Sequence, residues 1–165
     1  MPYDSRKDTT KHIAMVDHNL KSVIRSLKRR AQVHDQSKLE PPEKEIFDAE
    51  TPKLSKLKFG SKEYQDSLKR LGPALEHHYA NNSHHPEHYE NGVAGMCLLD
   101  LIEMVCDWQA ASKRMQGGEL HLVTAFERFG IDRQLGSIIF NYCLRQGWLT
   151  EDETYNVNYW LEHPS

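Results

Sequence analysis

At 165 residues, 38% of them hydrophobic and 27% charged, the chain is long enough to bury a core of its own without disulfides or a structural metal, and a single domain over 1–165 is expected. Its formal charge of -3 and pI near 6.4 argue against general nucleic-acid binding, which depends on a net basic surface. Three cysteines, Cys97, Cys106 and Cys143, without C-x-x-C spacing imply neither a disulfide framework nor a zinc knuckle, and a reduced, cytoplasmic setting is expected.

Residues 1–8 read as a loose tail, too polar at Asp4, Arg6, Lys7 and Asp8 for a signal peptide, and Asp8, Thr9 or Thr10 is placed to cap the first helix. Ile13, Val16, Leu20, Val23, Ile24 and Leu27 then recur at intervals of three and four, which predicts one face of a helix reaching about Arg30. His12 lies at the edge of that face and His18 roughly opposite it, so one is expected inward and the other outward. Lys21, Arg25, Lys28 and Arg29 read as a solvated face. His34-Asp35 follow in a turn or short helix, and Pro41-Pro42 forces a break before a helix opening at Glu43. Thr51-Pro52 is expected to interrupt that helix, Lys53, Lys56 and Lys58 read as solvated charge, and Gly60 ends the region.

From Ser61 the next helix places Leu68, Leu71, Leu75 and His78 on one face, with His77 turned away and a kink expected at Pro73. Helix formers run out at Asn81-Asn82-Ser83, so His84-His85-Pro86-Glu87-His88-Tyr89 is expected as a loop or tight turn whose histidines are either ligands or polar surface. A helix from near Gly92-Val93 to about Met115 is apolar over most of its circumference and suits the centre of a bundle. Asp100, Glu103, Asp107 and Arg114 gather on one stripe of it, which is either its solvated face or part of a site. Gly117-Gly118 closes that helix. Leu120, Val123, Phe126 and Phe129 define another, ended by Gly130, and Asp132 caps a further one carrying Leu135, Ile138, Ile139, Tyr142 and Cys143, stopped by Gly147. Residues 148–165 are expected as a strand-like or short helical appendage. No apolar run reaches the roughly 20 residues of a membrane span, no β pattern of any length occurs, and the fold class is therefore an all-α helical bundle.

In chain order the inward candidates are His12, His34, Asp35, His78, His84 or His85, and Asp107. That order resembles the HD-domain superfamily of metal-dependent phosphohydrolases. There an early helical histidine, a His-Asp dyad and a later aspartate bind one divalent metal in an all-α bundle, and some branches add histidines for a second. The resemblance implies His12, His34, Asp35 and Asp107 as ligands, with His78, His84 and His85 as the added histidines. More narrowly, His34-Asp35-Gln36-Ser37-Lys38, His84-His85-Pro86-Glu87-His88-Tyr89 and Glu103-Met104-Val105-Cys106-Asp107-Trp108 look like an uncharacterised family of small bacterial and phage proteins, over about residues 10–115. The crowding of His78 with His84-His85 departs from the two-metal branches. Lys38 stands where some nucleotidases of the superfamily are acidic, so no catalytic acid carries over to it.

Imidazole-rich sites favour manganese, iron, cobalt, nickel or zinc over magnesium alone, and one or two such ions are expected. Lys38, Lys113 and Arg114 are the candidate cations beside a phosphoryl group, and Glu103 would orient the water or hold a ligating histidine. The expectation is a phosphohydrolase using a metal-activated water on a nucleotide or other small phosphate ester, with no membrane partner and self-association left open. A di-iron oxygenase and a non-catalytic helical module are the alternatives.

Overall fold

The computed structural model describes residues 3–54, 61–113 and 118–163, in two compact units, Met1–Gln36 and Ser37–Ser165. Among the described residues seven α-helices are joined by short 3₁₀ turns and no strand occurs, as the hydrophobic periodicity implied. Lys56, Lys58, Gly60, Arg114, Met115 and Gly117 lie outside the described residues. No described helix is long and apolar enough to cross a membrane.

The first unit is one long helix, α1 (Arg6–Val33). Its N-cap is Ser5, not one of Asp8, Thr9 and Thr10; Asp8 instead sits in the first turn, where a carboxylate complements the helix dipole. The helix runs three residues past Arg30, and the His34 N–H closes it on the Arg30 carbonyl at 2.8 Å. No residue of α1 is buried. The expected sorting of His12 inward and His18 outward is therefore corrected: both are exposed, because this helix has no buried side for its apolar stripe to define. Immediately after it, Asp35 adopts the left-handed conformation with φ 56°, the one described non-glycine residue at positive φ. Aspartate tolerates that region better than most residues, yet it remains an uncommon backbone state.

In the second unit, α2 (Glu43–Leu54) and α3 (Lys62–Asn81) are joined through the buried carboxylate of Glu50, which accepts from Ser67 Oγ at 3.0 Å and Arg70 Nε at 2.8 Å. Lys53 Nζ, 2.7 Å away, together with Arg70 and Ser67, outweighs the opposing effect of burial and holds this carboxyl down to about 2. The expected break at Thr51-Pro52 does not occur. Pro52 lies within the last turn of α2, near the end of the hydrogen-bonded ladder, and its missing N–H removes only one bond there. Likewise α3 continues through Pro73.

After the 3₁₀ turns Pro86–His88 and Gly92–Gly95 comes α4 (Leu98–Ser112), which starts later than its apolar pattern suggested. The reason is a cap: Asp100 reaches back to accept the Cys97 N–H at 2.8 Å and fixes the first turn. Then follow α5 (Leu122–Phe129), ended by Gly130 at φ 61°, and α6 (Arg133–Arg145), capped by Asp132 accepting the Leu135 N–H at 2.8 Å. Both ends match the sequence reading.

Of the two forms expected for the terminal segment, the structure has the helical one. It forms α7 (Glu151–Glu162), with Val157 fully buried and the Glu153 carboxylate accepting the Leu122 N–H, an otherwise unpaired donor of the first turn of α5, at 2.6 Å. Met104, Leu122, Phe126, Ile139, Phe140, Cys143 and Val157 make one core from α4 to α7. Gly136 admits Trp160 to it: a Cβ there would stand 2.9 Å from the indole ring.

Candidate metal centre and adjoining cavity

The site begins at the C-terminal end of α3, where the Leu68–Leu71–Leu75–His78 spacing turns His78 inward and leaves it 1% exposed. Asn82 ends the helix by folding its amide back, donating to the His78 carbonyl and to Ser37 Oγ, each at 2.8 Å. The following turn is tight: the His85 N–H meets the Asn82 carbonyl at 3.3 Å and the His88 N–H the His85 carbonyl at 3.0 Å. Chain reversal there brings His84 and His85 back against His78, with ring centroids 4.2 Å apart for His84 and His85 and 4.8 Å for His78 and His85.

One ring nitrogen from each of His78, His84 and His85 lies within 4.8 Å of the others. The closest pair, Nε2 of His78 and Nε2 of His85, is 2.9 Å apart. His84 Nδ1 sits 3.3 Å from the Glu103 carboxylate. Three imidazoles and a neighbouring carboxylate, two of the rings almost wholly buried, form a donor set that suits a divalent transition metal.

Behind His78 stands Glu43, the first residue of α2 and 0% exposed. Its two oxygens lie 2.9 Å from His78 Nδ1 and 2.7 Å from His77 Nδ1. Burial raises the pKa of this carboxyl, but hydrogen bonds from His77, Ser37 and His78 outweigh it, so the group stays below the ordinary carboxylate value.

Asp100 leaves the acidic stripe for a structural role, as the acceptor for Ser83 Oγ at 2.8 Å, Tyr89 Oη at 2.9 Å and its own helix cap. Burial opposes its charge, but the bonds from Cys97, Ser83 and Tyr89 prevail and hold the carboxyl well below its usual value of 3.8. A depressed carboxyl contributes stability above its unfolded pKa and loses it as pH falls through the folded one. Asp100→Asn is accordingly expected to melt lower at pH 7 and to lose less on acidification below about pH 4 than the wild type, read from melting curves between pH 7 and 2. Equal acid sensitivity in the two proteins would contradict this assignment.

A cavity of 370 Å³ adjoins the histidines, lined by His85, Asp107, Trp108, His121, Arg128 and Phe129 among others. Trp108 and Phe129 stack at 5.7 Å with their planes 5° apart, and the Arg128 guanidinium lies 4.7 Å from the centre of the Phe129 ring. Arg128 Nη2 also meets the Glu87 carboxylate at 3.1 Å.

The structure thus brings together His78, His84 and His85, sets Glu103 beside His84, and lines the cavity with Asp107. His12 is exposed on α1. His34 and Asp35 close the first unit, Nε2 to Oδ2 3.7 Å apart, with 29% and 21% of their side chains exposed. Lys38 stands 6.0 Å from the centre of the Phe47 ring, and Lys113 donates to the Gly118 carbonyl at 3.3 Å. Arg114 falls outside the described residues. His88 turns away, donating Nδ1–H to the Tyr79 carbonyl at 2.7 Å. Sequence reading missed Glu43, Ser37, Asn82 and Arg128. Glu43 and Arg128 look like ordinary helix charges in one dimension, and only Asn82, as the residue ending α3, carried a local signal.

No curated protein and no solved structure matches the chain. The model of a family of unknown function, DUF5662, matches residues 1–145, and the chain belongs to that family.

Proposed function

We propose that the protein is a metal-dependent phosphohydrolase acting on a nucleotide or another small phosphate ester. The observation that carries this reading is the convergence of His78, His84 and His85 beside a cavity that His85 and Asp107 line. His78, His84 and His85 would hold the ion, and the sequence resemblance adds Asp107, at the adjoining cavity, to the proposed ligands. A divalent ion there would supply Lewis-acid chemistry, lowering the pKa of water and polarising a phosphoryl oxygen.

The chain's own groups supply binding and orientation. Glu103, its carboxylate 3.3 Å from His84 Nδ1, would steady that ring. The stacked Trp108 and Phe129 wall the cavity and exclude water from it, and Arg128, beside the same wall, binds the phosphate. At 370 Å³ the cavity falls near the lower end of ligand pockets, which span roughly 300–1,000 Å³, in keeping with a small substrate.

The test is to load the protein separately with manganese, cobalt and nickel and assay nucleoside mono-, di- and triphosphates, cyclic nucleotides and simple phosphate esters. Turnover of at least one, lost in chelator and in Asp107→Ala, is expected. Arg128→Ala should raise KM about 10- to 100-fold, the equivalent of one charge-assisted hydrogen bond, with a smaller change in kcat. No turnover by a protein shown to hold metal, or oxygen consumption by the iron-loaded form without phosphate release, would overturn the reading.

A further inference from the structure

We infer that Glu43 is a positioning residue that fixes the tautomer of His78, so that the lone pair of Nε2 faces His84 and His85. The inference rests on the metal reading above and adds to it a residue that no sequence motif marked. It starts from the inventory of donors around one ring. An ionised carboxylate only accepts hydrogen bonds, so at 2.9 Å from Glu43 Oε2 the His78 Nδ1 must carry the proton.

Asn82 Nδ2 approaches the same nitrogen at 3.1 Å and could in principle demand the opposite tautomer by donating to it. Its two hydrogens are already used, one on the His78 carbonyl and one on Ser37 Oγ, both at 2.8 Å. Ser37 Oγ also lies 3.4 Å from that nitrogen, but its single proton goes to the Glu43 carboxylate, so of these three neighbours Glu43 is the one that fixes the Nδ1 proton. A neutral imidazole protonated on Nδ1 presents its lone pair on Nε2, which is the atom 2.9 Å from His85 Nε2.

The position of Glu43 in the chain makes the brace stiff. Pro41-Pro42 precedes it, it opens α2, and its second oxygen meets His77 Nδ1 at 2.7 Å, so one fully buried carboxylate holds two successive residues of α3. His77, on the exposed side of the pair, gives the carboxylate a second anchor and takes no part in the imidazole cluster. An orienting carboxylate behind a ligating histidine typically changes metal affinity 10- to 100-fold when it is removed.

The experiment uses the full chain and cobalt(II). Titration calorimetry of metal-free wild type and Glu43→Gln is expected to show a dissociation constant about 10- to 100-fold higher in the variant, with an altered visible cobalt spectrum and unchanged far-UV ellipticity of the metal-free proteins. Because Glu43→Gln could fail to fold, the wild type supplies a second measurement: long-range ¹H–¹⁵N spectra, with His78 assigned through His78→Gln, should show its proton on Nδ1. Equal cobalt affinity and spectra in wild type and Glu43→Gln, or a His78 proton on Nε2, would overturn the inference while leaving the metal reading intact. A wild type that binds neither cobalt, manganese nor nickel would overturn both.

Discussion

His84→Ala is expected to abolish the rise in thermal stability that metal confers. A ligand bound only by the native state stabilises it by about 2.7 kcal/mol when present at 100 times its dissociation constant. Losing a buried imidazole from a set of three should weaken binding about 100-fold or more, so at that same concentration the stabilisation shrinks to about 0.4 kcal/mol. His84 is the ring to remove because it is 2% exposed and has both His85 and Glu103 beside it. His88→Ala is the matched control: that ring is exposed, bonded to the Tyr79 carbonyl and set edge-on to the Tyr89 ring. Calorimetric melts with and without cobalt read the difference. If His84→Ala and wild type showed the same cobalt-dependent shift, the imidazole cluster would not be the metal centre.

Phe126→Ala should cost about 3–5 kcal/mol of unfolding free energy, the range for deleting a buried aromatic ring. Phe126 is fully buried, its ring centroid lies 5.1 Å from that of Trp160, and its edge is 3.3 Å from the position a Cβ on Gly136 would occupy. Three helices, α5, α6 and α7, meet on that one side chain, so the cavity left behind cannot collapse without moving a helix. Against a total stability of about 5–15 kcal/mol the loss is large enough to populate unfolded protein at moderate temperature. Urea titrations should show a lower midpoint with an unchanged slope. A change below about 1 kcal/mol would mean that the α5–α7 packing is not what holds this unit together.

The helix ends that depend on local chemistry were readable in one dimension. Gly130 and Gly147 take positive φ, and Asp132 caps α6, as those residue types require. What escaped depended on partners far away in sequence. The start of α4 was misplaced because Cys97 is not a usual capping residue, and the cap is completed by Asp100, whose charge looked like part of a solvated stripe. α7 carried a readable mark, Thr150 three residues before Glu153, but the Glu153 side chain serves α5 and not its own cap.

The metal candidates divide the same way. Helical spacing was enough to turn His78 inward, because the leucines before it share its face. It could not choose among His84, His85 and His88, since that choice is made by the turn at Pro86–His88. Glu43 escaped altogether: an acid at the first position of a helix has a sufficient local reason to be there in the helix dipole, and only the approach of α3 gives it a second.

The chain's three tryptophans, Trp108, Trp148 and Trp160, all fall within Ser37–Ser165, while the 28 residues of α1 contain no indole. Tryptophan emission, excited selectively near the red edge, therefore comes from one unit alone, whereas far-UV ellipticity sums the helix content of both. The protein carries a built-in optical label: superimposable denaturation curves from the two signals would mean that α1 melts together with the rest, and an ellipticity change at constant emission would isolate α1 without any added probe.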